Sequence, residues 1–406
     1  MSATTAIPAA DPPADARSVA ATSRGIPRLD AIDMLRGLVI AIMVLDHVRD
    51  FFHYDALRFD PTDPSQTSAI VFGTRWITHL CATTFVFLAG ASIYLQKANG
   101  KSPPDLSAFL LKRGAWLILL EATVVTFGFN FGLPFLFFQV IWAIGAGMIC
   151  MSLLSRLHTR AVLALGAVLI AVCPLLISAT EGVTGAAQVL RTLAIAPGIF
   201  PTVPMLAMYP LLPWLAIMCL GFGFGPVFNR PPTERRRLLI KVGPAMLAAF
   251  FLLRMFNAYG DPSPWSRFPA TSQTVMSFLN VSKYPPSPDF VLVTLGLSLL
   301  LFLGLERLRG PLASLLLTFG RTPLFTYLLH IYIAHGLMLL AALAVGFPAA
   351  VATDFLLSGK VVQMGWGFSL PLVYLVWLAV LALLYPLSRW FEGVKRRRRD
   401  WWLSYL

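Results

Sequence analysis

Charge is scarce in this sequence. Asp, Glu, Lys and Arg make up 13% of its 406 residues, 57% are hydrophobic, and the mean hydropathy is +0.73. Soluble globular chains carry about 25% charged residues, and a domain of this size needs a polar surface that this composition cannot supply. Disorder is excluded for most of the chain, because disordered segments are poor in apolar residues and rich in charge. Cysteine is also scarce. Cys81, Cys150, Cys173 and Cys219 lie in apolar stretches with no CxxC or Cys/His metal spacing, which excludes a disulfide framework. The first 27 residues lack the apolar segment of a signal peptide and read as a disordered tail. No internal repeat is visible, which disfavours the inverted-repeat transporter folds.

What is present is a series of apolar runs long enough to cross a bilayer, each close to about 20 residues. They fall near 33–53, 75–96, 108–128, 133–155, 160–178, 206–228, 240–258, 288–306, 322–345 and 369–391. The expected fold is therefore all-α, a polytopic helical membrane bundle of about ten spans. The expected organisation is a cytoplasmic tail (1–27), one transmembrane domain (28–392) and a basic cytoplasmic end (393–406). The 311–319 stretch is too short to span and reads as an interfacial helix; 190–205 and 268–282 suit short re-entrant pieces. With the N-terminus inside, 24 of the 32 Lys and Arg fall on the inner side, a bias that sets both termini in the cytoplasm. The net charge of +13 is thereby a topology signal. The terminal KRRRRDWWLSYL reads as an anchor to anionic lipid, and no nucleic-acid partner is expected.

Ionisable residues within spans are costly and mark function by default. The first span places Asp33 and Arg36 at its inner end and Asp46, His47, Arg49, Asp50 and His53 at its outer end. His47 and Asp50 share a helix face, so Asp50 is a candidate to orient His47 as a general base. Arg75 and His79 lie one turn apart at the start of the second span, at the same outer level. Glu121 falls in the outer half of the third span and Arg254 at the outer end of the seventh. His330 and His335 lie within the ninth, roughly 140° apart on a helix, so they face different ways. A shared polar cavity opening outward accounts for both signs of charge at one depth. The plainer readings are helix-end ion pairing for Asp46 with Arg49, snorkelling for Arg75 and Arg254, and a packing role for His335. No HExxH or other ligand spacing supports a metal, and none is expected.

Four segments, RLDAIDMLRGLVIAIMVLDHVRDFF, TRWITHLCATTFVFLAGASIYL, SKYPPSPDFVLVTLG and FGRTPLFTYLLHIYIAHGL, resemble in the same order bacterial membrane proteins with a heparan-α-glucosaminide N-acetyltransferase catalytic domain. More broadly they resemble the transmembrane acyltransferases. The resemblance spans roughly residues 28–345. It implies transfer of an acetyl group from cytoplasmic acetyl-CoA to a hydroxyl or amine on the far side, in a bacterial inner membrane. It implicates a histidine near the outer end of the first span, for which His47 and His53 both stand as candidates. Arg36, beside Gly37, is the leading candidate to meet the phosphates of the acyl donor.

The expected function is an integral-membrane acyltransferase. His47, His79, Asp50 and His53 are the catalytic candidates. Arg75, Asp46, Glu121, Arg254 and His330 are placed with the acceptor, and Arg36 and Gly37 with acetyl-CoA. The alternative is a transporter or flippase using the same buried charges. The expected partners are the bilayer and a small-molecule or saccharide acceptor; self-association is left open.

Overall fold

A computed structural model describes residues 29–132, 135–200, 203–349, 353, 364–398, 400 and 402–403. The 1–27 tail lies outside these, as does part of the basic end. Helix dominates because a backbone surrounded by apolar side chains has no water to satisfy its amides, and a helix satisfies them internally.

Among the described residues, seven helices are long and apolar enough to cross a membrane. The first comprises α2 (Ala69–Ile77) and α3 (His79–Ala98), which run on with a break at Thr78. The others are α7 (Thr159–Ala179), α9 (Leu211–Phe228), α10 (Pro232–Phe256), α12 (Pro288–Leu305), α14 (Pro323–Ala344) and α15 (Leu370–Arg397). The three remaining expected spans are also helical, but they differ in kind. Helix α1 (Asp30–Phe52) has the length but carries Asp30, Asp33, Arg36, Asp46, Arg49 and Asp50. Helix α4 (Pro103–Leu120) continues through a π-helical turn, Glu121–Val125, into α5 (Thr126–Phe129). Helix α6 (Val140–Leu154) has only 15 residues, because the chain before it is a strand.

That strand amends the all-α expectation. β1 (Leu136–Phe138) pairs in parallel with β3 (Met205–Ala207), and β2 (Gly198–Ile199) pairs antiparallel to β3. The expected spans at 133–155 and 206–228 begin later for this reason. Short helices α8 (Gly185–Ala194), α11 (Thr271–Leu279) and α13 (Pro311–Arg321) complete the set.

Helix α1 is the axis of the bundle. Seventeen of its 23 residues are buried. Helix α3 runs antiparallel to it, with Arg75 beside Asp46 and Ser92 beside Arg36. Helix α14 runs parallel, with His330 against His47 and His335 stacked on Phe51. Helix α13 lies closest. A Cβ on Gly37 would overlap the Leu316 carbonyl, and one on Gly320 would overlap the Asp33 carbonyl, so glycine at both positions lets the two backbones meet. Gly37 thus faces a protein neighbour. Trp377 on α15 donates its indole N–H to the Ala41 carbonyl at 2.8 Å. The last carbonyls of α1 are satisfied from the segment before α15: Trp366 donates to Phe51 O at 2.8 Å and Phe368 N–H to Phe52 O at 2.7 Å.

Gly37→Ala is expected to cost about 1–3 kcal/mol by forcing α1 and α13 apart, seen as a lower melting temperature in detergent. Gly73→Ala, where a Cβ meets nothing within 4 Å, serves as the control and melts no lower than wild type.

Candidate active site at the meeting of two cavities

The charged end of α1 opens into a cavity of about 520 Å³. Asp46, His47, Arg49 and Asp50 line it from α1, Arg75 and His79 from α2 and α3, and Phe129, Phe137 and Gln139 from the strand-bearing turn. Residues 57, 59–62, 261, 263 and 280–284 line it from the loops. A second cavity of about 260 Å³ lies toward the Asp33 end of α1. Arg36, Ser92, Gln96 and Arg113 supply its polar groups, among Phe109, Ile144, Met148 and Leu324. The two cavities share Met43, Phe85, Val140 and Tyr327.

The charges of the larger cavity form a chain. Asp46 accepts from Arg49 Nη2 at 3.2 Å and from Arg75 Nη1 at 3.4 Å; Arg49 Nη2 also reaches Asp50 at 2.6 Å. Arg75 Nη1 donates to Thr78 Oγ1 at 2.7 Å. Asp46 and Asp50 therefore each have a cation beside them, which offsets the cost of removing them from water. Asp50 is spent on Arg49, so the expected Asp50–His47 pairing gives way to a different one.

His47 Nδ1 lies 2.7 Å from His330 Nε2, and His330 Nδ1 meets the Tyr327 carbonyl. A carbonyl only accepts, so the proton of neutral His330 sits on Nδ1 and its Nε2 accepts. His47 must then donate from Nδ1, which leaves its Nε2 as a lone-pair acceptor. The two rings are near-parallel, 15° apart, with centroids at 4.9 Å. His335 faces away, as its spacing from His330 requires. It bonds the Gly128 carbonyl at 2.8 Å and stacks on Phe131. His79 is buried against Phe290, and among the described residues its Nδ1 meets no partner.

Five expected site residues lie outside both linings: Gly37 and His330, whose contacts are given above, and Glu121, Arg254 and His53. Glu121 is fully buried, and its two oxygens accept from Gln139 N–H at 3.1 Å and Trp142 N–H at 2.9 Å, capping α6. Arg254 donates to the carbonyls of Phe278, Ser263, Ser277 and Asn280, at 2.6–3.1 Å. It fixes the loops that bring Asp261, Ser263 and residues 280–284 to the cavity. His53 is buried beside Tyr54 and accepts from Asp55 N–H at 3.3 Å. Sequence reasoning in turn passed over Gln139, Tyr209, Lys283, Tyr284 and Tyr327. Buried Lys283 lies in the quoted SKYPPSPDF segment, and Tyr327 stands three residues before His330; helical spacing puts those two on one face.

Residues 28–256 match the family described as heparan-alpha-glucosaminide N-acetyltransferase, catalytic. The chain belongs to this family. No curated protein matches it. The matched part of this N-acetyltransferase-family chain holds Arg36, Asp46, His47, Arg75, His79 and Gln139, whereas Lys283, Tyr284, Tyr327 and His330 lie beyond it. Both cavities are thus completed by residues beyond the matched part.

Glu121→Gln replaces one accepting oxygen with a donor that opposes a backbone N–H. It is expected to cost about 1–3 kcal/mol, seen as a lower melting temperature with faster amide exchange at Trp142. Unchanged exchange at Trp142 would contradict the capping role.

Proposed function

We propose that this protein is an integral-membrane acyltransferase of the bacterial inner membrane, built on ten crossing helices with both termini in the cytoplasm. It takes an acetyl or other acyl group from cytoplasmic acyl-CoA and passes it to a hydroxyl or amine, on a sugar or another acceptor, at the far side. The observation that carries this reading is the pair of cavities that meet at Met43, Phe85, Val140 and Tyr327. Donor and acceptor approach from opposite ends of α1 and react where the cavities join.

The residues suit each role. Arg36 and Arg113 offer guanidinium groups to phosphates, and the apolar walls of the smaller cavity suit the thioester arm. Arg36 is held by Asp33 at 3.1 Å and by Ser92. In the larger cavity His47 Nε2 takes the proton of the acceptor as its oxygen or nitrogen attacks the thioester carbon. The carbon–sulfur bond breaks, and the same proton passes to the departing thiolate, so CoA leaves as the thiol. His330 accepts from His47 Nδ1 throughout, and the Asp46 carboxylate steadies the imidazolium. His330 is a positioning residue here, as Asp50 was expected to be. His79, Arg75 and Lys283 lie where an acceptor would be held.

Purified protein is expected to bind CoA and to release it from acetyl-CoA with glucosamine as the acceptor probe. His47→Ala should lower that rate at least about 10²-fold while CoA still binds. Arg36→Ala should weaken CoA binding about ten- to a hundredfold, the worth of one charge-assisted contact. Titration calorimetry and thiol release give both numbers. Absence of CoA binding, together with solute uptake into proteoliposomes without acyl-CoA, would overturn the reading in favour of transport.

A further inference from the structure

The wall between the cavities carries a buried tyrosine hydroxyl. Tyr327 is 4% exposed, lies on α14 one turn before His330 and lines both cavities. Among the described residues its phenol hydroxyl meets no hydrogen-bond partner. A buried donor left unmade costs about 1–3 kcal/mol, and buried tyrosine hydroxyls ordinarily find a partner. Gln139 repeats the pattern: it lines the larger cavity beside the shared Val140, is 9% exposed, and its Nε2 is likewise unpartnered. Both atoms can donate, and neither lies on the lipid-facing surface.

We infer that the Tyr327 hydroxyl, assisted by the Gln139 amide, receives the carbonyl oxygen of the acyl thioester as negative charge develops on it. The inference rests on the acyltransferase reading and adds a group that reading does not need. The thioester carbon must lie where the cavities join, since donor and acceptor reach it from opposite sides. As the acceptor oxygen or nitrogen bonds to that carbon, the carbonyl electron pair moves onto oxygen, and the tyrosine O–H bonds it without transferring its proton. The pair returns as the carbon–sulfur bond breaks, and the acceptor proton travels through His47 to the thiolate. Donors fixed in place before charge appears are worth most in a site that excludes water. Tyr327 is fixed twice: its own carbonyl holds His330, and its ring meets the His330 ring edge-on, centroids 5.4 Å apart. The base and the oxyanion donor are therefore registered to one another through a single turn of α14.

Tyr327→Phe removes only the hydroxyl and keeps the ring and the backbone carbonyl. Its turnover on acetyl-CoA and glucosamine is expected to fall about 10²–10³-fold, with CoA affinity, melting temperature and the pH midpoint of the rate unchanged. Gln139→Leu should lower turnover in the same way by a smaller factor. Turnover of Tyr327→Phe within threefold of wild type would overturn the assignment while leaving the acyltransferase reading intact. So would a loss accompanied by weaker CoA binding or a displaced pH midpoint, which would mark a role through His330 or through folding. A wild type that moves no acyl group fails the underlying reading, and the assignment falls with it.

Discussion

A charge in a low-dielectric environment must have a partner, and the arrangement around α1 follows from that cost. The helix carries six charged residues in 23. At one end Asp46 lies between Arg49 and Arg75, and Arg49 also holds Asp50. At the other, Asp33 meets Arg36, and Arg321 on α13 reaches Asp30 at 3.0 Å and Glu392 on α15 at 3.0 Å. No single helix could supply these partners, so α2, α3, α13 and α15 must close on α1. Glycines 37 and 320 let α13 come near enough to do so.

The same constraint explains the departures from plain helix. A strand in an apolar setting is tolerated where it is paired and lines a cavity, and β1 meets both conditions through β3 and Phe137. Buried Glu121 accepts from backbone amides, and buried Arg254 donates to backbone carbonyls with Asp261 also beside it at 3.8 Å. They hold the irregular segments that line the larger cavity. A histidine donating to another histidine, which in turn donates to a carbonyl, satisfies three groups at once and leaves the His47 Nε2 lone pair as an acceptor.

Much of this was legible from residues alone. The apolar runs located the helices because a spanning helix must be apolar along its length, and α12 and α14 fall within a residue or so of their expected ends. Asp46, His47, Arg49 and Asp50 on α1, with Arg75 and His79, marked one depth, and a single cavity collects them. Other features were not legible. The His47–His330 contact joins residues 283 positions apart, and it depends on how α1 and α14 rotate, which hydropathy does not encode. Glu121 looked like a ligand because its partners are backbone amides, which every sequence contains and none displays. Tyr327 in an apolar run reads as core until the cavities on either side of it are seen. Of the smaller cavity only Arg36 stood out, since most of its walls are ordinary apolar residues.

The proposed reaction requires acyl donor and acceptor to meet from opposite sides of the membrane at the wall shared by the cavities. Sealed proteoliposomes of uniform protein orientation, given labelled acetyl-CoA on the side of the Arg36 cavity and glucosamine on the other, test it directly. Free CoA is expected on the side where acetyl-CoA was supplied, and labelled acetylated sugar on the opposite side. Recovery of both products in one compartment, or transfer only when both substrates share a side, would contradict it.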